Sequence, residues 1–215
     1  MSFSGKVKEE LSRQISTARH CQIAEIAAIL SVCGQVSISA NDHFCVTVHT
    51  ENVSVARKYF TLVEKTFNIE AVIHVRKNVY LKKSNVYRVE VPSHEDTVRI
   101  LQATKFMSPE QEIADDLSVM SRLVIQKECC KRAFLRGTFL AAGSISDPEK
   151  GYHLEIVCSR PLQAQQILEI LTEFEIEGRI VQRKKYYVVY IKEGAGISDF
   201  LNVVEAHVAL MEFEN

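Results

Sequence analysis

The 215-residue sequence has few of the residues that interrupt regular structure: eight glycines, four prolines and no low-complexity tract. This composition excludes a disordered chain. No run of apolar residues approaches the roughly 18 that a membrane-spanning helix needs. The segment 1–19 is charged and has no apolar core, which excludes a signal peptide. We therefore expect a globular, cytoplasmic protein with no membrane partner.

An excess of charge of one sign is also missing, because 26 basic residues balance 27 acidic residues for a formal net charge of −1. The total therefore indicates neither a strongly basic nucleic-acid binder nor an acidic tail. The balance hides an asymmetry between the halves of the chain. Residues 1–107 carry 14 Lys and Arg against 10 Asp and Glu, and residues 108–215 carry 12 against 17.

Sequence patterns that bind metal are absent, since there is no Cys-x-x-Cys pair and no histidine pair at helical spacing. Zinc ligands usually lie closer together in sequence than these cysteines do. In a cytosolic chain such cysteines are most often small buried apolar residues, and adjacent cysteines in an apolar helix are interpreted as packing residues. We therefore expect no metal and no cofactor. The six cysteines are Cys21, Cys33, Cys45, Cys129, Cys130 and Cys158.

The most informative feature of the sequence is an internal repeat. The helical segments Ala24–Gly34 and Arg132–Gly143 both end at a glycine, and the two glycines are 109 residues apart. Each glycine is expected to adopt the left-handed conformation of a helix cap. After each of them the sequence predicts a β-hairpin, a helix, a second hairpin and a closing helix. The chain is therefore predicted to be two α-β-β-α-β-β-α units.

The repeat sets the expected domain boundaries. The first repeat, with an extra N-terminal helix, spans residues 1–107, and the second spans 128–215. Residues 108–127 form a connector, in which we expect a short helix at 113–124. The closing helix of the second repeat is expected at 197–210.

Two units of this size are expected to pack about a pseudo-twofold axis, with the repeated first helices as the seam. Both helices place small residues three or four positions apart on one face, which would let the two backbones approach closely. A glycine inside a helix costs about 1 kcal/mol relative to alanine, and that cost is understandable if packing requires the missing side chain. The predicted seam residues are Ala24, Ala28, Ser31, Ala133, Gly137 and Ala141. The alternative is that each helix is buried separately against its own sheet.

This tandem pattern resembles the LAGLIDADG homing endonuclease fold. Aligned on the two glycines, the motif helices are Ile26–Gly34 and Leu135–Gly143. The resemblance implies an α+β fold in which two motif helices pack side by side and two antiparallel sheets straddle DNA.

A closer resemblance is to the WhiA family, which uses this scaffold. The opening segment Met1–Leu11 and the long segment Cys129–Glu155 are similar to characteristic segments of that family. The resemblance implies a nucleoid-associated transcriptional regulator acting in sporulation or in cell division and chromosome segregation. It also implies a C-terminal helix-turn-helix domain, which is expected in the full-length protein and is absent from these 215 residues.

The endonuclease resemblance also indicates where catalysis would occur. In those enzymes an acid precedes each motif glycine, and the two carboxylates hold the divalent metal that activates water. Here the two positions are Cys33 and Ala142, and a thiol is a poor ligand for Mg²⁺. Asp42 and Asp147 lie in predicted turns, where aspartate is a common turn residue. We therefore expect no enzymatic activity.

Basic residues concentrate in the second hairpin of each repeat, where tyrosines interleave them. Two such hairpins related by pseudosymmetry would suit contact with phosphates on either side of a duplex. Because the net charge is slightly negative, double-stranded DNA is expected to bind weakly. Lysines on exposed strands are also commonly solvated without binding anything. The alternative function is therefore a protein- or ligand-binding module on the same scaffold, which would have a protein partner. The candidate DNA contacts are Arg76, Lys77, Lys82, Lys83, Arg88, Arg179, Arg183, Lys184, Lys185 and Lys192.

Overall fold

A computed structural model describes residues 1–77, 80 and 84–215. Among these described residues, the first repeat contains four helices and four strands. In chain order they are α1 (Phe3–Arg13), α2 (Arg19–Cys33), β1 (Gly34–Ile38), β2 (Phe44–Thr50), α3 (Val53–Phe67), β3 (Val72–Lys77), β4 (Asn85–Val91) and α4 (His94–Ala103).

The second repeat has no counterpart of α1, but it repeats the order of elements from α2 onward, with one short extra turn and one extra helix at its end. In chain order they are α5 (Glu128–Ala142), β5 (Gly143–Ile145), a 3₁₀ turn (Pro148–Lys150), β6 (Leu154–Cys158), α6 (Pro161–Glu173), β7 (Arg179–Arg183), β8 (Tyr186–Ile191), α7 (Gly194–Val203) and α8 (His207–Glu214). Within the described residues, no helix is long and apolar enough to cross a bilayer.

The eight strands form two four-stranded antiparallel sheets with matching topology, β1-β2-β4-β3 and β5-β6-β8-β7. One face of each sheet is buried, because apolar side chains alternate along the strands. In the second sheet, Leu154, Ile156 and Cys158 point inward on β6, and α6 packs over that face. The α+β fold with tandem repeats and two antiparallel sheets is confirmed.

The first helices of the two repeats, α2 and α5, pack against each other in the centre of the molecule. Ala24, Ala28 and Ala133 are fully buried, whereas Ser31 and Ala141, near the ends of the helices, are partly exposed. A Cβ on Gly137 would lie 2.8 Å from the Ala28 Cβ and 2.8 Å from the backbone oxygen of Glu25. The absence of a side chain at Gly137 therefore permits this close approach.

Gly34 and Gly143 do not adopt the left-handed conformation that the sequence predicted. Their φ angles are −86° and −93°, in extended backbone. Steric space explains the glycines instead: an added Cβ would lie 2.6 Å from the Leu30 oxygen at Gly34 and 2.7 Å from the Phe139 oxygen at Gly143. Each glycine lets the chain leave a helix and enter a strand directly.

Two helix predictions are also wrong. The connector contains no helix at 113–124. It is an irregular segment held to the second repeat by Gln166, whose side chain accepts from the Met120 backbone nitrogen at 2.8 Å and donates to the Met120 oxygen at 2.9 Å. The helix expected at 197–210 is divided into α7 and α8, because the chain turns at Glu205, where φ is 67°.

Candidate functional site

The C-terminal ends of α2 and α5 carry Cys33 and Ala142, the two positions where the acids of a LAGLIDADG endonuclease are expected from the sequence. Cys33 donates from its Sγ to the Ile29 backbone oxygen at 3.3 Å. Burial raises the pKa of this thiol to about 12, so the thiol is uncharged near neutral pH. Ala142 presents a methyl group and no ligand atom. Neither side chain supplies the hard oxygen donors that Mg²⁺ prefers.

The aspartates closest in sequence to Cys33 and Ala142 lie in turns. Asp42 is exposed in a turn with φ of 55°. Asp147 accepts a hydrogen bond from the Glu149 backbone nitrogen at 3.0 Å and begins the 3₁₀ turn. Across the described ranges, a single group of three or more potential metal ligands occurs, and it does not include Cys33, Ala142 or either of these aspartates.

That group lies at the opposite, N-terminal end of the helix pair and consists of His20, Cys21, Cys129 and Cys130. All four ligand atoms lie within 4.8 Å of one another. The His20 Nδ1 is 3.2 Å from the Cys130 Sγ, 3.4 Å from the Cys21 Sγ and 3.8 Å from the Cys129 Sγ. Burial and the neighbouring thiols raise the pKa of Cys21 to about 12 and also raise the pKa of Cys130.

The expectation that these cysteines are small buried residues agrees with the burial of Cys21 and Cys130 but is wrong for Cys129, which is exposed. The fold brings the neighbouring residues His20 and Cys21 together with Cys129 and Cys130, which are far away in the sequence. A signal was available: His20 and Cys129 are 109 residues apart, as are Cys21 and Cys130, which is the spacing of the two repeat glycines. Each pair therefore occupies equivalent positions in the first turns of α2 and α5.

A buried ionic network crosses the middle of the same helix pair. Glu25 on α2 contacts the Lys58 Nζ at 3.0 Å and the Arg136 Nη1 at 3.2 Å, and all three side chains are almost completely buried. Lys58 also donates to the backbone oxygen of Leu11 at 2.7 Å. Burial lowers the pKa of Lys58, against the opposing effect of the Glu25 carboxylate. This network was not predicted from the sequence, because no local spacing relates its members.

The solvent-facing side of the first sheet carries part of the predicted basic set. Arg76 and Arg88 lie on this face, and Arg88 is in register with His49 and His74. Arg88 is 3.7 Å from Glu90, a loose ion pair. Lys77 is also exposed, but because successive side chains of a strand point to opposite faces, it lies on the other face of the sheet from Arg76. Lys82 and Lys83 lie outside the described residues.

The second sheet presents Arg179 and Arg183 on its solvent-facing side, in register with Tyr190 and Tyr186. Arg183 makes a two-pronged contact with Glu155, at 2.7 and 3.4 Å. This arginine, together with His153, holds the pKa of the Glu155 carboxyl below its usual range. The positive charge of Arg183 is therefore partly compensated by Glu155 within the protein.

The remaining predicted lysines lie at the two ends of β8. Lys184 and Lys185 form the tight turn between β7 and β8, with Lys184 at φ 58°. Lys192 follows β8, and its Nζ lies 5.3 Å from the centroid of the Tyr190 ring. All three lysines are exposed. The turn projects two positive charges from one end of the second sheet.

Comparisons with known proteins identify the family. The family model described as "WhiA N-terminal LAGLIDADG-like domain" matches residues 19–107, and that described as "WhiA LAGLIDADG-like domain" matches residues 131–215. The chain is 52% identical, over all its 215 residues, to the "Probable cell division protein WhiA" of Lachnoclostridium phytofermentans, and it covers 68% of that protein. The chain belongs to the WhiA family.

A second WhiA relative, from Desulforamulus reducens, is 41% identical over 220 aligned residues, and the chain covers 66% of it. The chain therefore spans about two thirds of the length of these WhiA proteins.

Solved structures support the same fold. Full-length DUF199/WhiA from Thermatoga maritima superposes with a TM-score of 0.74 at 21% identity, over 100% of this chain and 65% of that one. The homing endonuclease I-DmoI, solved in complex with DNA and Mn, gives a TM-score of 0.61 at 12% identity, over 87% of this chain and 97% of the endonuclease. The WhiA-family scaffold thus has the LAGLIDADG architecture that the sequence predicted.

Proposed function

We propose that this chain is the DNA-contacting, non-cleaving part of a WhiA-family transcriptional regulator that acts in sporulation or in cell division and chromosome segregation. The whole protein would be cytoplasmic and nucleoid-associated, with a C-terminal helix-turn-helix domain supplying further DNA contacts. The observation that carries the proposal is the combination of arginines on both sheet faces with a thiol and a methyl group at the acid positions.

The basic residues support weak, sequence-independent contact with DNA. Arg76 and Arg183 occupy equivalent register positions at the outer strands of the two sheets, and Lys184 and Lys185 extend the second sheet. Contacts of this kind go to phosphates and fix orientation without reading sequence. Because Arg183 is paired with Glu155 and the net charge is −1, we expect low affinity and strong salt dependence.

The absence of cleavage is proposed from the chemistry of the helix ends. Hydrolysis of a phosphodiester by this fold requires two carboxylates to place divalent metal at the scissile bond. Cys33 is an uncharged thiol hydrogen-bonded to its own helix, and Ala142 has no ligand atom. The scaffold would therefore contact a duplex without hydrolysing it.

A salt titration of DNA binding tests the proposal. The chain is mixed with a labelled duplex, and fluorescence anisotropy gives the affinity over a range of salt concentrations. Changing Lys184 and Lys185 together to Gln is expected to weaken binding at low salt and to reduce the slope of log affinity against log salt by about 2, since each lost phosphate contact removes about one unit.

The matched control changes Arg57 and Lys65 to Gln. Both residues are exposed on α3, a helix that packs against the first sheet. The control removes the same two charges from a different surface, so its affinity and salt slope should stay close to those of the parent chain. Equal losses in both variants would contradict a specific basic surface, and no binding at low salt would contradict DNA contact by this part of the protein.

The alternative function is a protein-binding module whose DNA contacts reside only in the helix-turn-helix domain. The edge strand β3 favours it, because all six of its residues are exposed, including the apolar Val72, Ile73 and Val75. An edge strand with exposed apolar side chains can pair with a strand of a partner. This alternative predicts no DNA binding by the chain at any salt concentration.

A further inference from the structure

The ligand cluster at the N-terminal end of the helix pair plays no part in the proposed DNA contact. We propose that His20, Cys21, Cys129 and Cys130 bind one zinc ion, which ties the two repeats together at this end of the seam. The site would be structural, because four protein ligands leave no open position for a substrate or for an activated water.

The positions of the donor atoms fit a tetrahedral ion. With Zn–S bonds of about 2.3 Å and a Zn–N bond of about 2.0 Å, tetrahedral geometry separates the ligand atoms by roughly 3.5–3.8 Å. The three distances from the His20 Nδ1 to the thiol sulfurs are 3.2, 3.4 and 3.8 Å, and all four ligand atoms lie within 4.8 Å. Small rotations of the side chains are enough to enclose an ion.

The chemistry of these four ligands favours a borderline or soft metal ion. Three thiols and one imidazole suit zinc, whereas Mg²⁺ and Ca²⁺ require oxygen ligands. With three thiolates the loaded site would carry a net charge of −1. All four residues lie in the first turns of α2 and α5, where the helix dipoles favour negative charge.

The burial of the ligands also suits a structural ion. Cys21 and Cys130 are buried beneath His20 and Cys129, which are exposed and leave the ion a path from solvent. Each repeat contributes two adjacent residues from equivalent positions, so the ion would lie close to the pseudo-twofold axis. The site is at the opposite end of the helices from Cys33 and Ala142, and is therefore distinct from the metal position of the endonucleases.

Metal analysis of the purified chain tests the proposal. Protein prepared under reducing conditions with zinc present and then freed of excess metal should contain one zinc per chain by mass spectrometry of its metals. Cobalt(II) added to the metal-free chain should give the intense visible bands of a tetrahedral site and a thiolate-to-cobalt charge-transfer band. Because both measurements use the unaltered chain, they do not depend on any variant folding.

Paired substitutions then locate the ion. Changing Cys129 and Cys130 together to Ser should abolish stoichiometric zinc and the cobalt charge-transfer band. Changing Cys33 and Cys45 together to Ser removes two thiols outside the cluster and should leave both readouts unchanged. A strong chelator should lower the thermal midpoint of the parent chain and of this control by several degrees, but not that of the Cys129/Cys130 variant.

Three results would overturn the proposal. The first is a metal content far below one zinc per chain together with no charge-transfer band. The second is full zinc retention by a folded Cys129/Cys130 variant, with folding checked by circular dichroism. The third is a disulfide between Cys21 and either of the other two cysteines in protein isolated from cells with its thiols blocked, because a disulfide consumes the proposed ligands.

Discussion

The two ends of the α2–α5 helix pair differ sharply in chemistry, although the same pseudosymmetry builds both. At the N-terminal end, equivalent positions bring three thiols and an imidazole together. At the C-terminal end, the equivalent positions Cys33 and Ala142 bring together a neutral thiol and a methyl group, and we propose that these are the acid positions of the LAGLIDADG endonucleases. The pseudo-twofold axis thus brings equivalent residues of the two repeats together at both ends of the helix pair. The types of these residues decide which chemistry each end can perform.

Between the two ends the symmetry is broken. Glu25 and Arg136 form an ion pair across the seam, but their equivalents in the other repeat are Phe134 and Ala27. Arg136 also donates to the Val204 oxygen at 3.0 Å and contacts Glu205 at 2.7 Å. These bonds tie α5 to α2 and to the end of the second repeat, so they fix the relative position of the two helices. A change here should therefore disturb both ends.

The largest effect is expected from changing Arg136 to Met, which leaves Glu25 buried with Lys58 as its remaining cationic partner. Removing one member of a buried ionic network typically costs about 3–5 kcal/mol. Urea unfolding should show this loss. Arg132 on the same helix is a matched control, because its ion pair with Glu128 is partly exposed, with 31% and 71% of the two side chains accessible, and pairs at the surface contribute about 0–1 kcal/mol. Similar losses in both variants would contradict the role given to the network.

A smaller effect is expected when acids are placed at the C-terminal end, by changing Cys33 and Ala142 together to Asp. If these are the metal-acid positions, Mn²⁺ should stabilise the variant, by about 2.7 kcal/mol at a concentration one hundred times the dissociation constant. Thermal unfolding with and without Mn²⁺ measures this. The parent chain should show no such shift, and an equal shift in both proteins would mean that the acid positions are wrongly assigned.

The smallest effect is expected at Gly137, the point of closest approach between the two helices. Alanine there gains about 1 kcal/mol in helix propensity but forces its Cβ to within 2.8 Å of the Ala28 Cβ, and such overpacking costs about 1–3 kcal/mol. The variant should therefore be neutral to about 2 kcal/mol less stable. Changing Ala28 to Gly in the same chain should recover part of the loss, and strict additivity in this double-mutant cycle would contradict direct contact.

The fold was predictable because local signals and the repeat agreed. Each half contains a helical segment that ends at a glycine, a hairpin after it and then an amphipathic helix, which is α3 in the first half and α6 in the second. Each half therefore supported the interpretation of the other. The conformation of the two glycines was not predictable, because steric space against Leu30 and Phe139 depends on the packed helix end. The helix predicted in the connector was wrong for a similar reason, since Gln166 of the second repeat determines the path of that segment.

The candidate sites were only partly predictable. The proposed acid positions rest on alignment of the two glycines, and the candidate basic residues rest on their place in the predicted hairpins. The partnership of Arg183 with Glu155 crosses from β7 to β6 and depends on sheet order. The His20–Cys130 cluster required comparing the two repeats position by position, because its members have no metal-binding pattern in either half alone.

The proposal of DNA contact without cleavage is tested with a supercoiled plasmid incubated with the chain at low salt in the presence of Mn²⁺. Agarose electrophoresis then reports binding as retarded migration, and cleavage as nicked or linear DNA after the protein is removed. We expect retarded plasmid that is recovered fully supercoiled. Nicked circles that accumulate with time and require Mn²⁺ would contradict it.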